Sequence, residues 1–81
     1  MKIELRKSAI RDLNKITKKE KNRIINSIKS LKKFPFTVGI KHLVSYDYAF
    51  RLRIGKYRIL FELEVEKTIV VYAILPRETA Y

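Results

Sequence analysis

The sequence predicts an α+β domain with an N-terminal strand, a helical hairpin and a three-stranded antiparallel meander. All strands form one sheet packed against the helices. Three observations carry this reading. A short alternating segment opens the chain, helix-period apolar stripes follow as far as Lys33, and from Tyr48 onward the apolar period is two. With 81 residues there is room for one domain, spanning 1–81, and for a two-layer architecture.

The elements follow in order. Ile3 and Leu5 alternate with Lys2, Glu4 and Arg6, which reads as a short strand. Ser8 is placed to cap a short helix carrying Ala9, Ile10, Leu13 and Ile16 on one face. Thr17-Lys18-Lys19-Glu20 has the form of a capping box, opening a second helix from about Lys18 to Lys33. Its apolar stripe is Ile24, Ile25, Ile28 and Leu31. Phe34-Pro35 ends it, because a residue before proline is pushed out of the helical region. Thr37 to Asp47 has no period and reads as loop, partly extended. Phe50, Leu52 and Ile54 then alternate with Arg51 and Arg53, and Gly55-Lys56 makes a two-residue hairpin loop of the Gly-X kind. Tyr57, Ile59, Phe61, Leu63 and Val65 form the apolar face of the next strand. Thr68–Leu75 is a nearly continuous apolar run, as in a central strand. The first strand returns to this sheet at its edge or beside the last strand.

Composition narrows the chemistry. Hydrophobic residues are 47% and charged residues 33%, suited to a folded soluble domain. The chain has no cysteine, so thiol chemistry and Cys-ligated zinc are excluded, and a reducing, cytoplasmic setting is expected. No apolar run approaches the ~20 residues that span a bilayer, so no membrane partner is expected. Lys and Arg number 19 against 8 Asp and Glu, a net charge of +11. Residues 1–45 hold 13 basic and 3 acidic side chains and residues 46–81 hold 6 and 5, so the excess sits in the first half. Lys18, Lys19, Lys21, Arg23, Lys29, Lys32 and Lys33 fall mostly off the apolar stripe. They are candidate contacts to RNA or ribosomal phosphates, or a solvated lysine-rich face.

The single histidine, His42, and the absence of cysteine leave no metal-ligating cluster in the sequence, and no metal or cofactor is expected. Arginine is the remaining chemistry. Strand alternation puts Arg51 and Arg53 on one face. The two-residue loop pairs Ile54 with Tyr57 and Arg53 with Arg58, so the three arginines share a patch of sheet. Two readings of that patch stand side by side. Glu62 and Glu64 answer it as a salt-bridged solvent face, or its guanidinium forks take phosphate oxygens. Tyr48 and Tyr81 fall where elements end and are candidates for stacking on unpaired bases. Tyr57 and Tyr72 fit strand patterns and read as core residues.

The run Phe50-Arg51-Leu52-Arg53-Ile54-Gly55-Lys56-Tyr57-Arg58-Ile59-Leu60-Phe61-Glu62 resembles the central motif of the RelE/ParE toxin superfamily. Ser8–Ile16 is similar to the family's opening helix, and Arg77 four residues before Tyr81 resembles its closing motif. The resemblance implies a RelE-like fold and a type II toxin with an acidic cognate antitoxin as partner. On the RelE side it implies a metal-free endoribonuclease that enters the ribosomal A site and cuts mRNA. On the ParE side it implies an inhibitor of DNA gyrase, and a third possibility is a catalytically inactive member that only binds antitoxin or RNA. Retention of Arg58 with Arg77 and Tyr81 favours RelE. The resemblance then gives Arg58 and Arg77 the task of stabilising the transition-state charge. Tyr81 becomes the base, or a stacking and orienting group. A phenol has an ordinary pKa near 10, and neighbouring guanidinium groups would lower it. RelE itself carries lysine where Arg51 and Arg53 stand, and arginine in effect does not release its proton, so these two bind and stabilise. Pro76 stands where the family often has histidine.

Overall fold

A computed structural model of the protein describes residues 2–34, 39–42, 49–64 and 67–76. The elements are β1 (Lys2–Leu5), α1 (Lys7–Asn14), α2 (Lys18–Lys29) with a 3-10 turn (Ser30–Lys33), β2 (Ile40–His42), β3 (Ala49–Ile54), β4 (Tyr57–Glu64) and β5 (Thr68–Pro76). They form one five-stranded sheet in the order β1-β5-β4-β3-β2. β1 lies at the edge, parallel to β5, and the other pairings are antiparallel. The apolar run of β5 is therefore central, as its composition requires. No helix among the described residues is long and apolar enough to cross a membrane.

The helices cover one face of the sheet. Ala9 and Leu13 of α1, Ile24 and Ile28 of α2, and Leu31 pack on Leu52, Ile59, Phe61, Ile69, Val71 and Ile74. Phe61 is fully buried. Its ring stacks on Phe50 at 5.6 Å and meets the edge of Phe34 at 5.9 Å. The aromatic residue before Pro35 thus seals the end of the helical layer against β3 and β4.

Several local expectations are corrected. The stretch after Phe36, read as loop and partly extended, contains the short strand β2, which joins the sheet. Gly39, at φ +92°, turns the chain so that its carbonyl accepts the Arg53 N–H at 3.2 Å. Ile40–His42 then pairs with Leu52–Phe50, and the meander gains a fourth strand. The second helix stops being α-helical at Lys29, not Lys33. Ser27 Oγ donates to the Arg23 carbonyl at 3.0 Å and Ser30 Oγ to the Ser27 carbonyl, and such back-bonding competes with the helical ladder. Thr17 is the N-cap of α2 but makes no side-chain capping bond. Ile10 is 46% exposed, beside the buried stripe of α1 instead of in it.

Ser8 lies inside α1, whose N-cap is Arg6. Its hydroxyl has another use. β1 ends at Leu5, and the Arg6 N–H makes a last bond to the Val71 carbonyl at 2.9 Å. Beyond that point the outer edge of β5 has lost its neighbour, and unpaired backbone groups are costly where partly buried. Ser8 Oγ donates to the Tyr72 carbonyl at 2.6 Å, and Asp12 Oδ2 accepts the Ile74 N–H at 3.0 Å. One turn of α1 thus replaces the missing strand. The same stretch holds an irregularity of β5: Leu60 pairs with Ala73 but Phe61 with Val71, so Tyr72 is an extra residue. Tyr72 is accordingly half-buried and outside the core cluster, whereas Tyr57 packs against the core as expected.

Candidate functional site

The arginines lie on the sheet face opposite the helices. Phe50, Leu52 and Ile54 of β3 belong to the core side, so Arg51 and Arg53 project from the other. The hairpin loop sets the cross-strand match. Gly55 has φ +54°, the conformation that the first loop position of a Gly-X hairpin requires. Ile54 pairs with Tyr57 and Arg53 with Arg58. Directly opposed residues have Cα atoms roughly 4.5–5.5 Å apart. Arg51 is opposite Leu60, one step further along, which makes it the diagonal neighbour of both Arg58 and Glu62.

Three rows cross this face. One runs Arg53, Arg58, Leu75; the next Lys41, Arg51, Leu60, Ala73; the third Ala49, Glu62, Val70, Glu4. Ala49, Leu60 and Val70 are buried and make an apolar floor beside the guanidinium groups. Arg51 and Arg58 are half-buried and Arg53 is exposed. The Nε atoms of Arg51 and Arg58 are shielded from solvent. Arg51 Nε finds no hydrogen-bond partner among the described residues.

Of the two carboxylates on β4, one is engaged elsewhere. Glu64 pairs with Arg6 at 3.6 Å, at the other end of the sheet. Glu62 shares the arginine face but lies two rows from Arg53. Lys41 lies directly opposite Arg51 on one side and Leu60 on the other, so the charged one of its two opposed neighbours is a like charge. An oxyanion held over Arg51, Arg53 and Arg58 would meet several preorganised donors above an apolar floor. Guanidinium groups suit phosphate there, because their planar forks match its oxygens.

Lys18, Lys19, Lys29, Lys32 and Lys33 are exposed on the helical layer, and Arg23, also exposed, lies against the tip of the β3–β4 hairpin. Lys21 is half-buried and donates to Asn14 Oδ1 at 3.1 Å. Tyr48, Arg77 and Tyr81 lie outside the described residues. Pro76 closes β5 opposite Tyr57, so the described chain stops beside the Arg53–Arg58 row. His42 lies on β2, opposite Phe50. Among the described residues no group of three His, Asp or Glu side chains is gathered that would hold a metal ion.

Two clefts flank Tyr57. One, of about 280 Å³, lies between α1, β4 and β5 and is lined by Asp12, Lys15, Ile16 and the end of β5. The other, of about 440 Å³, lies between α2 and the β3–β4 hairpin and is lined by Thr17, Glu20, Arg23, Gly55, Lys56 and Tyr57. Sequence reasoning missed Lys41 and Lys56 as members of the charged surroundings. Lys41 sits in a strand too short to show a period. Lys56 was visible only as a loop residue, with nothing to say that α2 would meet that loop.

Comparison with known proteins agrees with this architecture. A family model described as the ParE toxin of the type II toxin–antitoxin system parDE matches residues 3–81. Among solved structures, the chain resembles the RelE of a RelB–RelE complex from Methanococcus jannaschii (24% identity, 94% of this chain and 92% of that one, TM-score 0.79). It also resembles the RelBE2 complex of Mycobacterium tuberculosis (24%, 94% and 96%, TM-score 0.80). A third likeness is to the archaeal RelE–RelB complex of Pyrococcus horikoshii (20%, 98% and 97%, TM-score 0.80). At these identities the likeness is one of fold. No curated protein sequence matches the chain.

Proposed function

The chain belongs to the ParE toxin family of type II toxin–antitoxin systems, within the RelE/ParE superfamily, and we propose that it acts there as a ribosome-dependent endoribonuclease. The observation that carries the reading is the gathering of Arg51, Arg53 and Arg58 on the sheet face opposite the helices, with Lys41 and not a carboxylate opposite Arg51. Like charges directly opposed across strands, as Arg51 and Lys41 are, favour a bound anion.

The reaction fits a site built on guanidinium groups. The 2′-oxygen of a nucleotide attacks its own 3′-phosphorus as its proton passes to a base. The bond from phosphorus to the 5′-oxygen of the next nucleotide breaks, and that oxygen takes a proton. The products are a 2′,3′-cyclic phosphate and a free 5′-hydroxyl. Negative charge grows on the phosphoryl oxygens between these events, and preorganised donors aimed at it supply a large share of the rate. Arg58 is assigned to that charge, with Arg51 and Arg53 binding the flanking phosphates. Arg77 shares the task and Tyr81 serves as base or stacking group, on the spacing of the closing motif. Tyr48 is assigned to stacking and the lysines of α2 to ribosomal phosphates. An acidic antitoxin is the partner proposed to cover the arginine face, consistent with a net charge of +11.

Gyrase inhibition is the second reading, and the ParE description of the family match favours it. One comparison separates the two. The protein is added to a cell-free translation reaction and, separately, to a gyrase supercoiling assay. Arrest of translation with untouched supercoiling is expected, and arrest is lost in Arg58→Ala. Inhibited supercoiling with normal translation would replace this reading by the second.

A further inference from the structure

We propose that the cleft between α2 and the tip of the β3–β4 hairpin is a second phosphate site, in which Arg23 and Lys56 hold a backbone phosphate of the RNA strand that crosses the arginine face. This rests on the RNA-cleaving reading of the chain and adds a contact outside the Arg51, Arg53 and Arg58 patch.

The seat of Arg23 is the primary observation. A Cβ at Gly55 would stand 3.1 Å from Arg23 Nη1, 3.4 Å from Cζ and 3.5 Å from Nη2. Three such similar distances mean that the guanidinium lies broadside on the turn, in the space a side chain would occupy. Gly55 therefore does two things: it takes the φ of +54° that the hairpin needs, and it leaves room for Arg23. An exposed arginine ordinarily gives up rotamer freedom when it binds; a seated guanidinium has given up part of it already. Among the described residues the Arg23 side chain makes no ion pair, although Glu20 lines the same cleft.

The cleft is shaped and charged for one phosphodiester. Lys56 adds an ammonium from the hairpin tip, and Thr17 adds a hydroxyl that is not used in capping α2. Arg23 and Lys56 against Glu20 leave a net of one positive charge, matching the single negative charge of a backbone phosphate. Continuity with the arginine face favours a nucleic-acid strand over an acidic polypeptide. Gly55 is two residues from Arg53, or about 7 Å of strand, so neighbouring phosphates of one strand can reach both sides of the hairpin.

The test is fluorescence anisotropy of a labelled 2′-O-methyl RNA oligonucleotide, which binds without being cut, titrated with the full chain at several salt concentrations. Arg23→Ala and Lys56→Ala should each weaken binding about 3- to 10-fold and lower the salt slope by about 0.7 for the lost contact, while Arg23→Lys restores most of the slope. Arg51→Ala reports on the arginine face in the same assay, and thermal melts confirm that each variant folds. Unchanged affinity and slope in both cleft variants, with Arg51→Ala weakened, overturns the cleft and leaves the RNA reading standing. No binding by the parent chain, or no effect of any variant, overturns the cleft as a phosphate site, while the RNA-cleaving reading is decided separately by cleavage on ribosomes. If Arg23→Ala weakens capture of polyglutamate but not of RNA, the cleft serves an acidic polypeptide and the proposal fails.

Discussion

Replacing Arg51 by leucine is expected to make the protein more stable and less active. Arg51 is half-buried on the open face of β3, with Lys41 directly across on one side and Leu60 on the other. Like charges directly opposed in a sheet destabilise by roughly 0.2–1 kcal/mol. A fully buried N–H without a partner costs about 1–3 kcal/mol, and Arg51 Nε, shielded but on a half-exposed side chain, carries part of that. Leucine removes both costs, and its side chain keeps an apolar contact with Leu60. The net gain should be about 1 kcal/mol, which for a domain of this size raises the melting temperature by about 4–8 °C. Activity should move the other way. Arg51 is assigned to a flanking phosphate, and losing one charge-assisted contact of about 1.5–3 kcal/mol should lower cleavage about 10- to 10²-fold. Thermal unfolding followed by circular dichroism and single-turnover cleavage on ribosomes would measure the two effects on the same preparation. A fall in melting temperature would show that Arg51 is a structural ion-pair partner, and retained cleavage would remove it from the site.

Other outcomes follow from the packing. Asp12→Ala leaves the Ile74 N–H without its acceptor and should destabilise by about 1–3 kcal/mol. Asp12→Asn, which keeps a carbonyl oxygen at that position, should cost clearly less, and urea unfolding of the pair decides it. Gly55→Ala should destabilise by about 1–2 kcal/mol through its left-handed φ, with a further increment from the approach to Arg23. In a double-mutant cycle with Arg23→Ala that increment disappears while the backbone cost remains; strict additivity would mean that Arg23 does not rest on the turn.

The hairpin was the most legible part of the chain. A two-residue Gly-X loop fixes register by itself, so the Arg53–Arg58 match could be read from local residues, and with it the arginine face. The central position of β5 followed from its continuous apolar run, and β1, expected at the edge or beside the last strand, lies at the edge and beside β5. What was not legible depended on contacts distant in sequence. Ser8 has the chemistry of an N-cap, but the end of β1 leaves a carbonyl of β5 uncovered, 64 residues away, and the hydroxyl goes there. Asp12 likewise finds its partner, the Ile74 N–H, 62 residues away. β2 is three residues long, too short for a period, and exists because Gly39 turns the chain onto the free edge of β3. Arg23 was visible as one of seven basic residues between Lys18 and Lys33, and only the folded hairpin distinguishes it.

The central claim is cleavage of mRNA on the ribosome, and primer extension tests it most directly. A defined mRNA is presented to the protein with and without ribosomes stalled at a known codon with an empty A site. New 5′ ends are expected within the A-site codon only when ribosomes are present, and they are lost in Arg58→Ala. A well-folded protein that produces no cuts under either condition, or cuts naked RNA equally well, would contradict it.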